Sequence, residues 1–289
     1  MRRRLTFLIG AHKTASTHLQ RALVAQRAAL APAGVGVIGP MPIGGTLLPL
    51  SELLRGRAEP DLLALASEGF LHKHAGDAET VVLMNENILS ASLAPDMAFK
   101  DGQLYKFGPQ RVKRVLDLFP GHDIQVGMAV RNPAGFLVSS WQEHMKGHAF
   151  RPFRDYLGTA EGAEIGWLKL VRRLRQALGD TSIFLWRYED YPTIASKVLL
   201  QCMGEASARI TLPESAANPG FSARALDYLA EVGQVTPETT AEALRRFPKG
   251  PEYPAFQPWT QREKTAISER YDQDLQRIAS RGLARVLHP

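Results

Sequence analysis

The chain has a single cysteine, Cys202, among 289 residues, so no disulfide can form within it. A reducing compartment, the cytoplasm, is the expected setting. The apolar run around that residue, VLLQCMG, marks a buried structural thiol and not a nucleophile. Uninterrupted apolar segments are scarce too. Ala31–Leu50 is free of charge over a membrane-spanning length, but nine of its twenty positions are Gly or Pro. A short strand followed by a loop is expected there, and no membrane span. Arg2, Arg3 and Arg4 precede the apolar run LTFLIGA, yet His12 and Lys13 end it without a cleavage site of small residues, so no signal peptide is expected. Internal repeats and low-complexity blocks are missing. With 45% hydrophobic and 22% charged residues, the composition excludes a disordered chain, a collagen and a coiled coil.

Lys and Arg total 35 against 29 Asp and Glu, a net charge of +6. That modest excess suits an anionic ligand or a nucleic acid without choosing between them. Arg172, Arg173 and Arg175 form a basic patch, but no aromatic residues interleave them and no nucleic-acid module is recognisable. They read as a solvated helix face, and no nucleic-acid partner is expected. Metal ligation has little support. His144 and His148 are four apart with Gly147 between them, and no third ligand is evident.

What is present is an alternation of strands and helices. Leu5–Ile9, Val35–Ile38, Thr80–Met84, Ile124–Val130 and Ser182–Trp186 are short apolar runs that read as strands. Helical patterns fall at about 16–30, 60–71, 109–119, 134–146 and 165–178; Val112, Val115, Leu116 and Phe119 show the amphipathic spacing. Val-, Ile- and Leu-rich strands alternating with helices predict an α/β fold, a central parallel sheet flanked by helices. From Ser222 onward helices alone are expected, at 222–232, 237–247 and 260–280, broken by the Pro- and aromatic-rich loop Pro248–Pro258. No composition shift demands a boundary. One domain over 1–289 is expected, an α/β core over about 1–205 with a helical C-terminal part over 206–289.

Two segments carry chemistry. In FLIGAHKTASTHLQ a strand runs into Gly10, then Lys13, Thr14, Ser16 and Thr17, then a helix. A glycine turn opening a helix makes an anion site, because the free N–H groups of the first turn and the helix dipole favour negative charge. Lys13 adds a full charge. This is not a Walker A loop, which has glycine directly before the lysine where His12 stands here. The strand ends also lack a magnesium aspartate: TVVLM leads into Asn85-Glu86-Asn87, and GMAV into Arg131-Asn132-Pro133. In the second segment Arg131 follows a strand, Pro133 starts a helix, and Ser139 lies eight residues after the arginine. An arginine at the carboxyl edge of an α/β sheet offers a planar fork for phosphate.

Together these segments resemble the PAPS-dependent sulfotransferases, whose donor is 3′-phosphoadenosine 5′-phosphosulfate (PAPS) and whose product nucleotide is PAP. Lys-Thr-x-Ser-Thr-x-Leu at Lys13–Leu19 resembles the family's 5′-phosphosulfate loop. Arg131-Asn-Pro with Ser139 resembles its 3′-phosphate site, and RYEDY at Arg187–Tyr191 resembles a Tyr-Glu-Asp that many members carry. The string SSWQEHMKG resembles a bacterial branch. The similarity covers roughly 5–200 and implies a P-loop NTPase-like sulfotransferase fold. It implies that Lys13 stabilises charge on the leaving phosphate. It also implies that the loop from Gly10 through His12, Thr14, Ala15, Ser16 and Thr17 holds the 5′-phosphosulfate, that Arg131 and Ser139 grip the 3′-phosphate, and that Tyr188 positions the adenine. Where the family often has aspartate two residues after the proline of Arg-Asn-Pro, this chain has Gly135. The acceptor would be a hydroxyl, less readily an amine, of a small molecule or glycan, with no metal taking part.

Such a transfer needs a proton acceptor. Glu86, at a strand end, is the first candidate; His144 is the second and His12 the third. The segments expected to shape the acceptor pocket are Gly39–Leu54, Ser90–Phe107 and Pro248–Pro258. A nucleotide-dependent small-molecule kinase and a non-catalytic nucleotide-binding protein are the alternatives.

Overall fold

A computed structural model describes residues 2–40, 52, 55–57, 59–158, 165–213 and 220–289. Among these residues six strands form one all-parallel sheet: β1 (Arg4–Leu8), β2 (Val35–Ile38), β3 (Thr80–Met84), β4 (Asp123–Val130), β5 (Ser182–Arg187) and β6 (Arg285–Leu287), in the order β2-β3-β1-β4-β5-β6. The chain lays strands to one side of β1 and then crosses to the other. Its direction therefore reverses at β1, and the carboxyl end of β1 faces the crevice where open α/β sheets bind ligands.

The period-2 pattern of the strands sorts their side chains onto two faces. Leu5, Phe7 and Ile9 join Val81, Leu83, Val126, Met128 and Val130 in the larger core. Leu8 joins Val82, Met84, Ala129 and Phe184 in the smaller one. The smaller core is covered by α1 (Ser16–Ala25), a short helix at Arg27–Leu30 and the later helix Tyr191–Met203. Cys202 lies within it, fully buried, and burial pushes its thiol pKa up. The larger core is covered by α2 (Pro60–Ala75), α3 (Gly108–Leu116), α4 (Pro133–Met145) and α5 (Trp167–Leu178). Counting Tyr191–Met203 as α6, the C-terminal helices α7 (Ala223–Val232), α8 (Pro237–Arg246) and α9 (Gln261–Ser280) pack on this same side. Thr260 and Glu263 cap α9 reciprocally, each side chain bonded to the other residue's backbone N–H.

Three expectations need correction. The tail is not only helical, because β6 pairs with β5 from Phe184 to Trp186. Val286 and Leu287 alone give too short a run for an alternation signal, and the strand exists because the β5 edge is there to receive it. The helix expected over 16–30 is broken at Gln26, whose side chain bonds Thr211 in both directions. The arginine patch on α5 is not simply solvated. Arg173 donates to the carbonyls of Leu104 and Lys106, and Arg175 to those of Leu283, Gly179 and Thr181. Both side chains satisfy loop carbonyls that their segments leave unpaired. Among the described residues no helix is long and apolar enough to cross a membrane.

Candidate functional site

The loop between β1 and α1 has an unusual backbone. Gly10, Lys13 and Ala15 all have positive φ, at 45°, 62° and 59°. Glycine adopts that region freely, whereas each of the other two costs about 1–2 kcal/mol. The third such non-glycine residue among those described is Tyr105, and it belongs to the same place: its hydroxyl accepts from the backbone N–H of His12 at 3.2 Å and meets His12 Nδ1 at 3.1 Å. Strained backbone persists where its surroundings over-determine it, and it concentrates at functional sites. Thr14 is buried, its Oγ1 donating to the Ala11 carbonyl at 2.5 Å, which folds the loop on itself. Ala15 caps α1 from the left-handed region, and no side chain caps the helix. The amides of Ser16 and Thr17 are therefore left for an external acceptor.

Arg131 leaves the carboxyl end of β4 beside this loop. Its Nη1 donates to the Lys13 carbonyl at 2.8 Å, and its guanidinium lies over the Tyr188 ring, 4.5 Å from the centroid. Burial pulls the guanidinium pKa down, while Tyr188, Glu189 and Tyr271 oppose the shift. The next residue, Asn132, caps α4 by accepting from the Ala134 N–H and donates to Ser268 of α9. Glu189 accepts from the Asn132 backbone N–H through one oxygen and from the Tyr271 hydroxyl through the other. The C-terminal helix thus braces the arginine's strand end. A Cβ at Gly135 would lie 3.4 Å from Arg131 Nε, in van der Waals contact, so this position of α4 adjoins the guanidinium.

Residues one helical turn apart share a face. On α4 this face runs Gly135, Ser139, Glu143. Gly135 adjoins the Arg131 guanidinium, and Glu143 Oε2 accepts from Lys13 Nζ at 2.9 Å. Ser139 lies between them on that face. Lys146 Nζ donates to the same Glu143 oxygen at 2.8 Å. Burial alone would raise the Glu143 pKa, but its bonds to Lys146 and Lys13 prevail and hold it below the usual carboxylate range.

Glu86 begins a single helical turn after β3, capped by the Asn85 side chain and held from outside by Arg111, which donates to the Ile88 and Asn87 carbonyls. One carboxylate oxygen accepts from Gln20 Nε2 of α1 at 2.8 Å. The Glu86 Cβ lies 3.8 Å from where a side chain on Gly10 would begin, so this carboxylate adjoins the loop directly. His12 is its electrostatic neighbour. Burial lowers the His12 pKa, with Glu86 and Asn87 acting against the shift, so the ring is neutral near pH 7. Under the loop, Gly10, Thr14, Ser16, Gln20 and Trp186 line a cavity of about 20 Å³, room for one water-sized group. The indole N–H of Trp186, one of these lining residues, is buried and has no hydrogen-bond partner among the described residues.

Gly10, His12, Lys13, Thr14, Ala15, Ser16, Glu86, Arg131, Ser139 and Tyr188 thus converge on one sheet edge. Thr17 stands exposed at the second position of α1. His144 is turned elsewhere, because it follows Glu143 and so projects about 100° around the helix; its ring stacks on His148 at 5.1 Å and packs against Tyr156 at 5.4 Å. Among the described residues no group of three or more His, Cys, Asp or Glu is placed to hold a metal ion. Of the segments expected to shape an acceptor pocket, Ser90–Phe107 reaches the site through Tyr105. Pro248–Pro258 packs its Phe256 on Trp141 of α4 at 5.1 Å. Gly39–Leu54 lies outside the described residues except at 39, 40 and 52. Sequence reasoning missed Glu143, Gln20 and Tyr105. Of these only Glu143 carried a signal, being inside SSWQEHMKG one turn beyond Ser139.

The arrangement brings groups that can donate to an anion, the Ser16 and Thr17 amides, Lys13, Arg131 and Ser139, to one sheet edge, with the Glu86 carboxylate nearby. No protein-family model matches the chain, and no curated protein matches it.

Proposed function

We propose that the chain transfers a sulfuryl group from PAPS to a hydroxyl of a small molecule or glycan, acting in the cytoplasm on a P-loop-like sulfotransferase fold. The observation that carries this reading is the 2.8 Å bond from Arg131 Nη1 to the Lys13 carbonyl. It joins two anion-binding segments that lie 118 residues apart in the sequence. A nucleotide with phosphate on both its 3′ and 5′ sides is the kind of ligand that needs two such segments in contact.

The residues fit that ligand. Uncapped amides at Ser16 and Thr17 and the Lys13 ammonium suit its 5′ end, while the Arg131 fork and the Ser139 hydroxyl suit its 3′-phosphate. When bound, PAPS supplies an activated sulfuryl group on a phosphate leaving group. Lys13 would neutralise charge growing on that phosphate, in a site whose donors are already oriented. Glu86 would take the acceptor's proton on the carboxylate oxygen that Gln20 leaves free, and Gln20 would hold the carboxylate in place. His12, neutral beside Glu86, would orient the acceptor hydroxyl.

The test is a thermal-shift titration with PAP, AMP and ATP–magnesium in parallel. At 100 times its Kd a ligand adds about 2.7 kcal/mol, which raises the midpoint of a chain this size by about 5–10 °C. PAP is expected to do so and AMP to do much less. Arg131→Ala should bring the PAP shift down to the AMP level. A shift with ATP–magnesium and none with PAP replaces this reading with the kinase.

A further inference from the structure

Lys13 and Lys146 both donate to Glu143 Oε2, at 2.9 and 2.8 Å. On an open surface such a triad would be worth little. Its position gives it meaning. Lys13 belongs to the strained loop and is pinned at both ends, its carbonyl by Arg131 and its ammonium by Glu143. Glu143 stands on the α4 face that carries Ser139, one turn from it. Two ammonium groups therefore converge on a single anionic oxygen at the edge of a site built for anions, and the oxygen they share is the protein's own.

We propose that Lys146 is a second cation of this anion site, and that Glu143 is a resident carboxylate whose place an anionic oxygen of the ligand takes. The ligand class is a phosphate or sulfate group at the 5′ end of a nucleotide, so the inference rests on the donor reading above. The exchange follows from charge. With Glu143 in place the two lysines share one negative charge, and an incoming multivalent anion meets both a like-charged competitor and the cations that competitor holds. Swinging the carboxylate aside leaves both ammonium groups to the ligand. Glu143 is half-buried and lies three residues before Lys146 on the same stretch of chain, and the movement proposed is a rotation of its side chain. In the sequence Lys146 is the lysine of the string SSWQEHMKG, which carries no assigned role there.

The test is calorimetric titration of PAP and, separately, inorganic pyrophosphate into the wild type, Lys146→Ala, Glu143→Gln and the double variant. Lys146→Ala should weaken both ligands about tenfold, the usual loss for one bond to a charged group. Glu143→Gln should tighten both several-fold, and Lys146→Ala should still weaken them in the Glu143→Gln background. If Lys146→Ala costs nothing in that background, the lysine acts only through Glu143 and the inference is overturned. Unchanged affinities in Glu143→Gln likewise reduce the triad to a surface ion pair. Wild type that binds pyrophosphate but not PAP overturns the donor reading alone, and the variants then decide the inference on pyrophosphate. Binding of neither ligand overturns both.

Discussion

Lys13→Ala is expected to lower sulfuryl transfer by about 10²–10³-fold, the loss typical of removing one oriented electrostatic group from a transition state. Folding should hardly change. Lys13 sits at φ 62°, and alanine meets the same backbone cost there because both residues carry a Cβ. The ion pair it gives up joins side chains that are 27% and 41% exposed, so its contribution to stability is at most about 1 kcal/mol. Glu143 keeps Lys146 as a partner. The measurements are the turnover of a PAPS-dependent assay and the denaturation midpoint of the same preparation. Loss of turnover at a constant midpoint places Lys13 in the chemistry. Unchanged turnover removes the phosphosulfate assignment, whatever the midpoint does.

Glu86→Gln tests the proton acceptor and should have an effect of similar or greater size, about 10²–10⁴-fold on turnover. The substitution is close to isosteric. Gln20 Nε2 can still donate to the amide oxygen at position 86, and the Asn85 cap and the Arg111 bonds to the turn involve other atoms. PAP binding should stay within about twofold, because the 3′ and 5′ groups are held by other residues. A variant that binds PAP normally and transfers nothing identifies Glu86 as the base. A variant that still transfers moves the role to His12, the next group on the same side of the loop. The ring of His144 stacks on His148 and packs against Tyr156, on another side of α4 from Glu143.

The parts of this site that could be read in the sequence are those that fit within one stretch of chain. The Gly10–Thr17 loop and the Arg131-to-Ser139 stretch each join a strand end to a helix start over few residues, so periodicity and turn chemistry reveal them. The strands Val35–Ile38 and Thr80–Met84 are legible to the residue because branched apolar runs bounded by turns have few other uses. Gln20 and Glu86 are 66 residues apart, and Tyr105 and His12 are 93 apart. Neither pair leaves a local pattern, since each contact exists only once the strands are in register. The same holds for β6, whose three residues become a strand by pairing with β5.

The sequence by itself therefore determined that strands alternate with helices, and it marked the Gly10–Thr17 loop and the strand-end Arg131 as candidate anion-binding positions. Local backbone preference, hydrophobic period and helix-terminus electrostatics act over short separations and need no partner. Only the tertiary structure decided that the two meet, that Glu143 rather than His144 faces Lys13, and that Gln20 holds Glu86. Those outcomes depend on strand order and on the rotation of α4 about its own axis, where one residue's difference turns a side chain by about 100° and sends it to another neighbour.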